Sequence, residues 1–312
     1  MSKPALEVKE MTTQNLWELA DSRLLYAILD ACDAEAVAFK MKELGEEVAV
    51  CLYGGKAAQD YWDFAPYLAR VDRDLLGWIA DNLWEERWGF FAVTMANLKA
   101  LRYHFRHFTF VRLPDGQVVY FRYYDPDILS TFLENATAAE LTRFFGPVRA
   151  FIVPRVENET VLLRGYMRPS LGPLPAAEET GMLPLRTEML VALGSEAKAS
   201  FVERVVAHVR EALPKQFRVH GEDAIRELAR EGIDKAQQYG FGVETDVCKF
   251  IDVMILLGRD FDHDPRFPWA RELLLGDLDR EVAADSLLAG AVMQLPDEDI
   301  KGRAGTPGTG HT

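Results

Sequence analysis

The sequence predicts an α/β lobe with a mixed sheet at residues 16–167, followed by an all-α lobe at residues 186–297. In the first lobe, short apolar runs alternate with segments of helical spacing, which is the pattern of a sheet covered by helices. Four prolines and two glycines then fall within residues 168–185, a composition typical of a linker. After this linker the strand patterns disappear and only helical spacing remains.

Both ends of the chain are predicted to lack regular structure. Residues 1–15 are polar and show little periodicity, so we expect a flexible N-terminus. Residues 298–312 include the low-complexity sequence GRAGTPGTGHT, and we expect a disordered tail there.

The first ordered elements are predicted to form a strand, a helix and a second strand. Residues 24–29 and 48–53 are continuous apolar runs, which indicate buried strands. Between them, Asp33 is a suitable N-cap for a helix over residues 34–44. Strand, helix and strand at this length indicate a βαβ unit, so we expect its two strands to pair in parallel.

A helix, a strand and another helix follow in order. Asp72 is a suitable N-cap for a helix that ends near Glu86. Residues 88–94, WGFFAVT, are aromatic and β-branched, and they predict a strand. Residues 97–108 predict an amphipathic helix, because apolar side chains recur there at spacings of three and four.

The clearest local signal is a hairpin turn at Pro114-Asp115-Gly116, which separates apolar runs at residues 108–113 and 118–124. A short helix over residues 138–145 and a strand pair around residues 157–159 complete the first lobe. Four segments of the second lobe then show helical spacing: residues 189–213, 222–239, 243–257 and 278–295.

Composition excludes several classes of function. The chain has 35 basic and 49 acidic residues, a net charge of −14, and neither half is basic, which argues against nucleic-acid binding. No run of about 18 apolar residues predicts a membrane span. There is no apolar signal segment and the three cysteines are isolated, so we expect a cytoplasmic protein with reduced thiols.

The motifs of common catalytic and cofactor sites are missing. The sequence contains no complete phosphate-binding loop, dinucleotide fingerprint or nucleophile elbow. His104 and His107 lie three residues apart, but no HExxH pattern or cysteine pair completes a zinc site. We therefore predict no catalytic residue, no metal, no cofactor and no enzymatic activity. A hydrolase-like site assembled between the two lobes is the alternative.

Residues 87–122 depart from the acidic composition, with six Lys or Arg residues against one acid. Among the six, Lys99, Arg102 and Arg106 share one face of the predicted helix, opposite its apolar stripe. We call these three side chains the basic face. It is either an ordinary solvated helix face or a docking face for an acidic partner that is steered by charge.

Six short motifs occur in order in the first lobe: LYAILD at 25–30, CLYGG at 51–55, APYL at 65–68, WGFF at 88–91, FRYYDP at 121–126 and RFFGPV at 143–148. In this order they resemble the type VI secretion effector adaptor family, also called effector chaperones. The resemblance covers roughly residues 16–150, and FRYYDP and FFGP are its most specific parts. A less specific resemblance to helical segments that often follow this domain begins at IDKAQQYGFGVETD, residues 233–246.

The resemblance implies a bacterial adaptor that binds a cognate toxic effector without catalysis. It further implies that the adaptor helps to load this effector onto a trimeric spike protein, and it supplies no catalytic residue. A structural component of the secretion machine is a further alternative.

The motif residues are expected to define the fold: Tyr53, Pro66, Tyr67, Trp88, Gly89, Arg122, Tyr124, Asp125, Pro126, Gly146 and Pro147. Asp125 is a suitable helix cap with Pro126 at the first helical position. Arg122 is expected to pair with Asp125 or with an acid on a neighbouring strand.

Partner binding is expected at exposed aromatic and arginine side chains. The candidates, in addition to the basic face, are Tyr103, Trp62, Phe64, Trp84 and Trp88. An effector segment that adds to a sheet edge would leave no side-chain signature, so this mode of binding stays open.

Overall fold

Strands and helices alternate in the first part of the chain, and helices alone follow. The structure, a computed structural model, describes residues 6–32, 34, 36–157, 160–169 and 181–294. The strands are β1 (Glu7–Met11), β2 (Leu25–Asp30), β3 (Ala49–Cys51), β4 (Pro66–Arg70), β5 (Gly89–Thr94), β6 (Phe110–Arg112), β7 (Val118–Tyr120), β8 (Val148–Glu157), β9 (Thr160–Met167) and β10 (Leu183–Pro184). The helices are α1 (Thr13–Asp21), α2 (Ala36–Leu44), α3 (Ala57–Asp60), α4 (Arg73–Asn82), α5 (Leu98–Arg106), α6 (Pro126–Asn135), α7 (Ala138–Phe145), α8 (Thr187–Ala212), α9 (Pro214–His220), α10 (Glu222–Gln238), α11 (Glu244–Leu257), α12 (Pro268–Leu275) and α13 (Arg280–Met293).

The fold class is the predicted one, an α/β region followed by helices. The chain divides into two compact units, Met1–Glu196 and Ala197–Thr312, which we call the first and second units. The division falls within α8, which begins in the first unit and ends in the second. No helix among the described residues is both long and apolar enough to cross a membrane.

Seven strands of the first unit form a sheet in the order β1-β9-β8-β5-β2-β4-β3, and every neighbouring pair in it is antiparallel. The predicted parallel pairing of the first two apolar runs, β2 and β3, is therefore wrong. After helix α2 the chain enters β3 in the same direction as β2, but the two strands are not neighbours. Strand β4 lies between them and forms antiparallel hydrogen bonds to both. Among the described residues, the one parallel pairing joins β10 to β6 in a small sheet of order β10-β6-β7.

Both faces of the large sheet are covered. Along β2, Tyr26 and Ile28 point into one apolar cluster, which includes Leu101 and Phe105 of α5. The alternate residues of β2 point into a second cluster with helices α1, α2 and α4. Because both faces are buried, β2 reads in the sequence as a continuous apolar run rather than an alternating one.

Two short strands lie where the sequence predicted irregular segments. Residues 7–11, within the expected flexible N-terminus, form β1 and pair with β9 at the sheet edge. Four of these five side chains are exposed, so the strand has no apolar alternation by which to be recognised. Leu183 and Pro184, within the predicted linker, pair with β6, and Leu183 is buried. The rest of that linker at 170–180, the predicted tail at 298–312 and the expected cap Asp33 lie outside the described residues.

The predicted N-cap of α4 is present, although that helix ends at Asn82 rather than near Glu86. Asp72 accepts a hydrogen bond from the Leu75 amide at the start of α4. The Asn97 side chain does the same for the Ala100 amide at the start of α5. The predicted hairpin is β6 and β7, with Gly116 at a φ of +89° in the turn, but β7 ends at Tyr120 rather than at residue 124. The second unit has its own apolar core, formed by α8 and α10 to α13.

Candidate functional site: an aromatic groove beside the basic helix

The basic face lies on α5, whose opposite side is packed in the core. Leu101 and Phe105 are fully buried, whereas Lys99 and Arg106 are exposed. Arg102 is half-buried, and its Nε donates a hydrogen bond of 3.1 Å to the carbonyl oxygen of Cys51. Two of the three cations are thus available to a partner, and the third holds the end of β3.

A groove of about 670 Å³ opens beside Arg106, and we call it the aromatic groove. Its lining residues are Leu52, Tyr53, Gly54, Ala57, Tyr61, Phe64, Arg106, Thr109, Phe110 and Tyr120. Four of these rings are well exposed: Tyr61 at 58%, Phe64 at 55%, Phe110 at 49% and Tyr120 at 37%. Arg106 is the sole charged group among the lining residues. The groove therefore offers apolar surface with one guanidinium at its edge.

The glycine turn after β3 lets Arg106 reach the groove. A Cβ on Gly54 would overlap the guanidinium of Arg106. Gly55 has a φ of +57°, a conformation that favours glycine. Beyond this turn, α3 and a 3-10 turn over Trp62–Phe64 carry Tyr61 and Phe64 to the groove.

The hairpin supplies the opposite wall of the groove. Phe110 and Tyr120 are direct neighbours across β6 and β7, and their rings meet edge to face at a centroid distance of 5.6 Å. Tyr53 meets Tyr120 in the same way at 5.9 Å. Edge-to-face contacts hold these rings in fixed positions, so the groove wall is formed before any partner binds.

A second groove of about 450 Å³ contains Trp62 and Arg102 among its lining residues. The Trp62 ring packs edge to face against Phe39 at 5.5 Å, and the Lys42 Nζ lies 2.8 Å from its centroid. Different residues of the segment 51–59 line the two grooves: residues 52–54 and 57 line the aromatic groove, and residues 51, 55, 58 and 59 line the second groove.

The remaining candidates do not join these grooves. Trp84 lines a separate cleft of about 170 Å³ together with Trp17. Tyr103 is 71% exposed and packs on His107, with 4.4 Å between the ring centroids, and neither Tyr103 nor Lys99 lines any of the three cavities described here. Trp88 is fully buried, so its expected availability as a surface anchor is wrong. It faces the core because it immediately precedes the buried strand β5 and packs on Phe91 at 4.9 Å.

Tyr120 of the groove wall contacts a second tyrosine, Tyr124. The hydroxyl groups of Tyr120 and Tyr124 are 3.1 Å apart. Burial of Tyr124 and partial burial of Tyr120 raise the pKa of both phenols above the ordinary value, and the contact with Tyr124 raises that of Tyr120 further. These phenols are neutral at physiological pH, so each can both donate and accept a hydrogen bond.

Arg122 and Asp125 of the FRYYDP motif form separate ion pairs. Arg122 Nη2 lies 2.6 Å from Oδ2 of Asp30, a fully buried carboxylate at the end of β2. Of the two expected kinds of partner, Arg122 pairs with an acid on a strand, and that strand belongs to the large sheet rather than to the sheet of β7. Asp125 caps α6 through the amides of Asp127 and Ile128, with Pro126 as the first helical residue, and pairs with Arg87 at 2.8 Å.

Other motif residues sit where the backbone requires them. Gly89 has a φ of +134°, and a Cβ there would overlap the carbonyl oxygen of Ile28. Tyr67 donates a hydrogen bond of 2.8 Å to the Trp62 carbonyl, and burial raises the pKa of its phenol to about 12. The Pro147 carbonyl accepts a hydrogen bond of 2.8 Å from the Thr94 hydroxyl.

His104 of α5 and His107, which follows that helix, bond to different carbonyl oxygens. His104 Nε2 lies 2.8 Å from the Phe144 carbonyl, and His107 Nδ1 lies 2.6 Å from the Tyr103 carbonyl. A carbonyl oxygen can only accept, so each of these ring nitrogens carries its proton and is a donor. They are therefore used in hydrogen bonds within the helix and to the end of α7.

Sequence reasoning identified Phe64 and Arg106 but not the rest of the groove. Tyr61, Phe110 and Tyr120 were not among the expected partner-binding residues, and Tyr53 was expected to define the fold. The missed signal is the alternation in β6, where Phe110 and Arg112 face outward around the buried Val111. An exposed aromatic residue on a short hairpin strand indicates a surface that a partner can cover.

Comparison with known proteins gives one finding. No curated protein and no solved structure matches the chain. Strands β2 to β7 and every lining residue of both grooves lie within residues 25–143. This segment, residues 25–143, matches the family described as a domain of unknown function (DUF4123).

Proposed function

We propose that this protein is an adaptor that binds a type VI secretion effector without catalysis and helps to load it onto the trimeric spike protein. The support at the level of sequence is the ordered set of six motifs that resembles effector adaptors. Five of the six lie inside residues 25–143, the segment that matches the family of unknown function. A cytoplasmic location in the producing cell is part of this proposal.

The aromatic groove is the observation on which the proposed binding site rests. Four well-exposed rings surround it, although exposed apolar surface of this kind is unfavourable in water unless a partner covers it. Aromatic and arginine side chains are also the usual energetic anchors of protein interfaces. We therefore place an apolar or aromatic segment of the effector in the groove.

A free strand edge beside the groove suggests how this segment is held. Within the part of the chain that the structure describes, β7 pairs with β6 and with no other strand. Tyr120, the last residue of β7, lines the groove. An extended effector segment can add to β7 through backbone hydrogen bonds while its side chains enter the groove.

Local positive charge favours binding of an acidic effector segment at the groove. The chain as a whole has a net charge of −14, whereas Arg106 presents positive charge at the groove and Lys99 is an exposed cation on the same helix. An acidic stretch next to the apolar segment of the effector would be attracted locally and repelled elsewhere.

The first test is formation of a complex. The chain is co-expressed with the effector and spike proteins encoded beside it, and the purified material is examined by size-exclusion chromatography with light scattering. We expect a stoichiometric complex with the effector. If neither protein forms a complex at micromolar concentration and low salt, the adaptor proposal is wrong, and the hydrolase or structural alternatives should be examined.

The groove is tested by substituting its exposed rings. We expect Phe64→Ser and Phe110→Ser each to weaken effector binding at least about tenfold, because each removes an anchor worth about 1.4 kcal/mol or more. Tyr103→Ser is the matched control, since Tyr103 is more exposed and lies outside the groove. Dissociation constants from isothermal titration would contradict the groove if the control weakens binding as much as the two groove variants.

The contribution of charge is tested by reversal. We expect Lys99→Glu with Arg106→Glu to lower the association rate constant about tenfold at low salt and to flatten its dependence on ionic strength. Arg102 is left unchanged, because it holds the Cys51 carbonyl. The control Arg218→Glu with Arg230→Glu makes the same change in net charge in the second unit. Equal rates for the two double variants would show that the basic face does not steer the partner.

A further inference from the structure

Three side chains with metal-binding groups meet in the second unit. His208 lies on α8, and Cys248 and Asp252 lie one turn apart on α11. One ligand atom from each of the three lies within 4.8 Å of the others. His208 Nε2 is 3.0 Å from Oδ2 of Asp252 and 3.2 Å from Oδ1. We propose that these three residues bind a zinc ion, with a solvent molecule as the fourth ligand.

The spacing suits a tetrahedral ion. Zinc bonds of about 2.0–2.3 Å at tetrahedral angles place neighbouring ligand atoms about 3.3–3.6 Å apart. The separation of His208 Nε2 and Asp252 already lies just below this range. All three ligand atoms lie within 4.8 Å of one another, so shifts on the order of 1 Å separate the present arrangement from the spacing around a zinc ion.

The donor set selects the class of metal. A thiolate, an imidazole and a carboxylate together favour zinc and similar transition-metal ions over calcium or magnesium, which prefer all-oxygen sites. The position of Cys248 and Asp252 at i and i+4 on one helix places both on the same face. His208 approaches from another helix, so the ion would join α8 to α11.

The groups around Cys248 favour a bound cation at this position and do not activate the thiol as a nucleophile. Asp252 is only 4% exposed, and its carboxylate adds negative charge next to Cys248. Burial, Asp252 and Glu244 raise the pKa of the Cys248 thiol to about 12, which is the opposite of an activated nucleophile. A bound dication reverses this preference, and the thiol releases its proton to solvent when it coordinates the ion.

A second contact joins the same two helices one turn earlier. Arg204 of α8 pairs with Glu244 of α11 at 2.6 Å, so the Glu244 carboxylate is already bound. This contact joins α8 to α11 one turn away from the proposed site. The proposal does not depend on the adaptor function, since these residues lie outside residues 25–143.

The test uses the full chain after treatment with a chelator. Titration with zinc against a chromophoric competitor is expected to show one saturable site with a dissociation constant below about 1 μM. Cobalt(II) in its place is expected to give the absorption of a tetrahedral ion with a thiolate charge-transfer band. Zinc should also raise the melting temperature of the chain.

Substitutions test whether the proposed residues are the zinc ligands. Cys248→Ser and Asp252→Asn should each weaken zinc binding at least tenfold, and Cys248→Ser should remove the charge-transfer band. Cys32→Ser, which removes an exposed cysteine, is the control and should bind as the native chain does. Absence of saturable binding, or a charge-transfer band that persists in Cys248→Ser, would overturn the proposal.

The native chain provides a readout that needs no variant. Zinc at saturation should slow alkylation of Cys248 at least tenfold, measured by mass spectrometry of its peptide, and leave alkylation of Cys32 unchanged. Equal protection of both cysteines, or of neither, would also overturn the proposal.

Discussion

His104 is a histidine that the fold holds in its neutral form. The ring packs edge to face against Phe105 and Phe108, with centroids 5.2 and 5.1 Å away. Burial lowers the pKa of the imidazole to about 4, and the neighbouring His107 contributes in the same direction. The hydrogen bond to the Phe144 carbonyl opposes this shift but does not overcome it. A neutral His104 is therefore part of the native state at physiological pH.

This burial makes stability depend on pH in a defined direction. The pKa of His104 is near 6.5 in the unfolded chain and about 4 in the fold, so protons bind more tightly to the unfolded state. The contribution is fully present above pH 6.5 and is lost as the pH falls towards 4. Between pH 7 and pH 5, we expect the free energy of unfolding to fall by about 2 kcal/mol more in the native chain than in His104→Gln.

The measurement is urea unfolding at both pH values. His107→Gln is the control, because it removes the histidine that follows α5 and leaves the buried imidazole in place. It should retain the pH dependence of the native chain. A His104→Gln variant with unchanged pH dependence would show that the imidazole can be protonated without loss of the fold.

At the residue scale, the sequence predicted which kind of side chain a residue contacts better than it predicted which residue that is. It predicted that Arg122 would pair with an acid, but its actual partner, Asp30, lies 92 residues away. That choice depends on how β2 and the segment after β7 pack, which no local pattern records. The same limit applies to Phe64 and Arg106. Each was a candidate by itself, and only the glycine turn after β3 brings them to one groove.

At the element scale, Gly146 ends α7 and also makes room for another helix. Its φ is +47°, and a Cβ there would overlap the imidazole of His104 on α5. Gly45, at the end of α2, has a φ of +77° but no atom within 4 Å of the position of a Cβ. Both glycines thus have a positive φ, but Gly146 has a ψ of −117°, outside the left-handed helical region, and it also packs against a ring.

Alanine substitution separates these two roles. Gly45→Ala should cost about 1–2 kcal/mol, the strain of a left-handed residue with a side chain. Gly146→Ala should cost about 1–3 kcal/mol more than Gly45→Ala, because its ψ of −117° is unfavourable for a residue with a side chain and the His104 ring must move in a packed core. Free energies of unfolding from urea titration provide the comparison. Equal losses in the two variants would mean that the ring adapts without cost.

The elements that the sequence predicted well are those whose signal is local. Helix α5 has an amphipathic pattern and an asparagine cap, and the hairpin has a Pro-Asp-Gly turn. The elements that it missed depend on distant pairing. Strand β1 is held by backbone bonds to β9 with mostly exposed side chains, and β4 enters between β2 and β3 from later in the chain. Hydrogen bonds between distant segments leave no periodicity in either segment.

At the scale of the whole molecule, the chain has two sets of apolar clusters with no shared residue among those described. The clusters of the first unit end at Leu193, and that of the second unit begins at Phe201. Both belong to the single helix α8. Separate apolar cores allow the two units to unfold independently, whereas a helix that continues through both units couples their unfolding. Whether the chain unfolds in one step or two depends on which effect is larger.

We expect the separate cores to dominate, because breaking one helix between residues 193 and 201 disrupts only a few hydrogen bonds. The native chain is compared with one variant in each unit by hydrogen exchange and mass spectrometry. Gly232→Ala places a Cβ 2.6 Å from Cγ1 of Ile251, between α10 and α11. It should reduce protection of helices α10, α11 and α13 and leave β2, β5 and β8 unchanged. Gly146→Ala should have the opposite effect. Loss of protection in both units in either variant would show that the chain unfolds as one cooperative body.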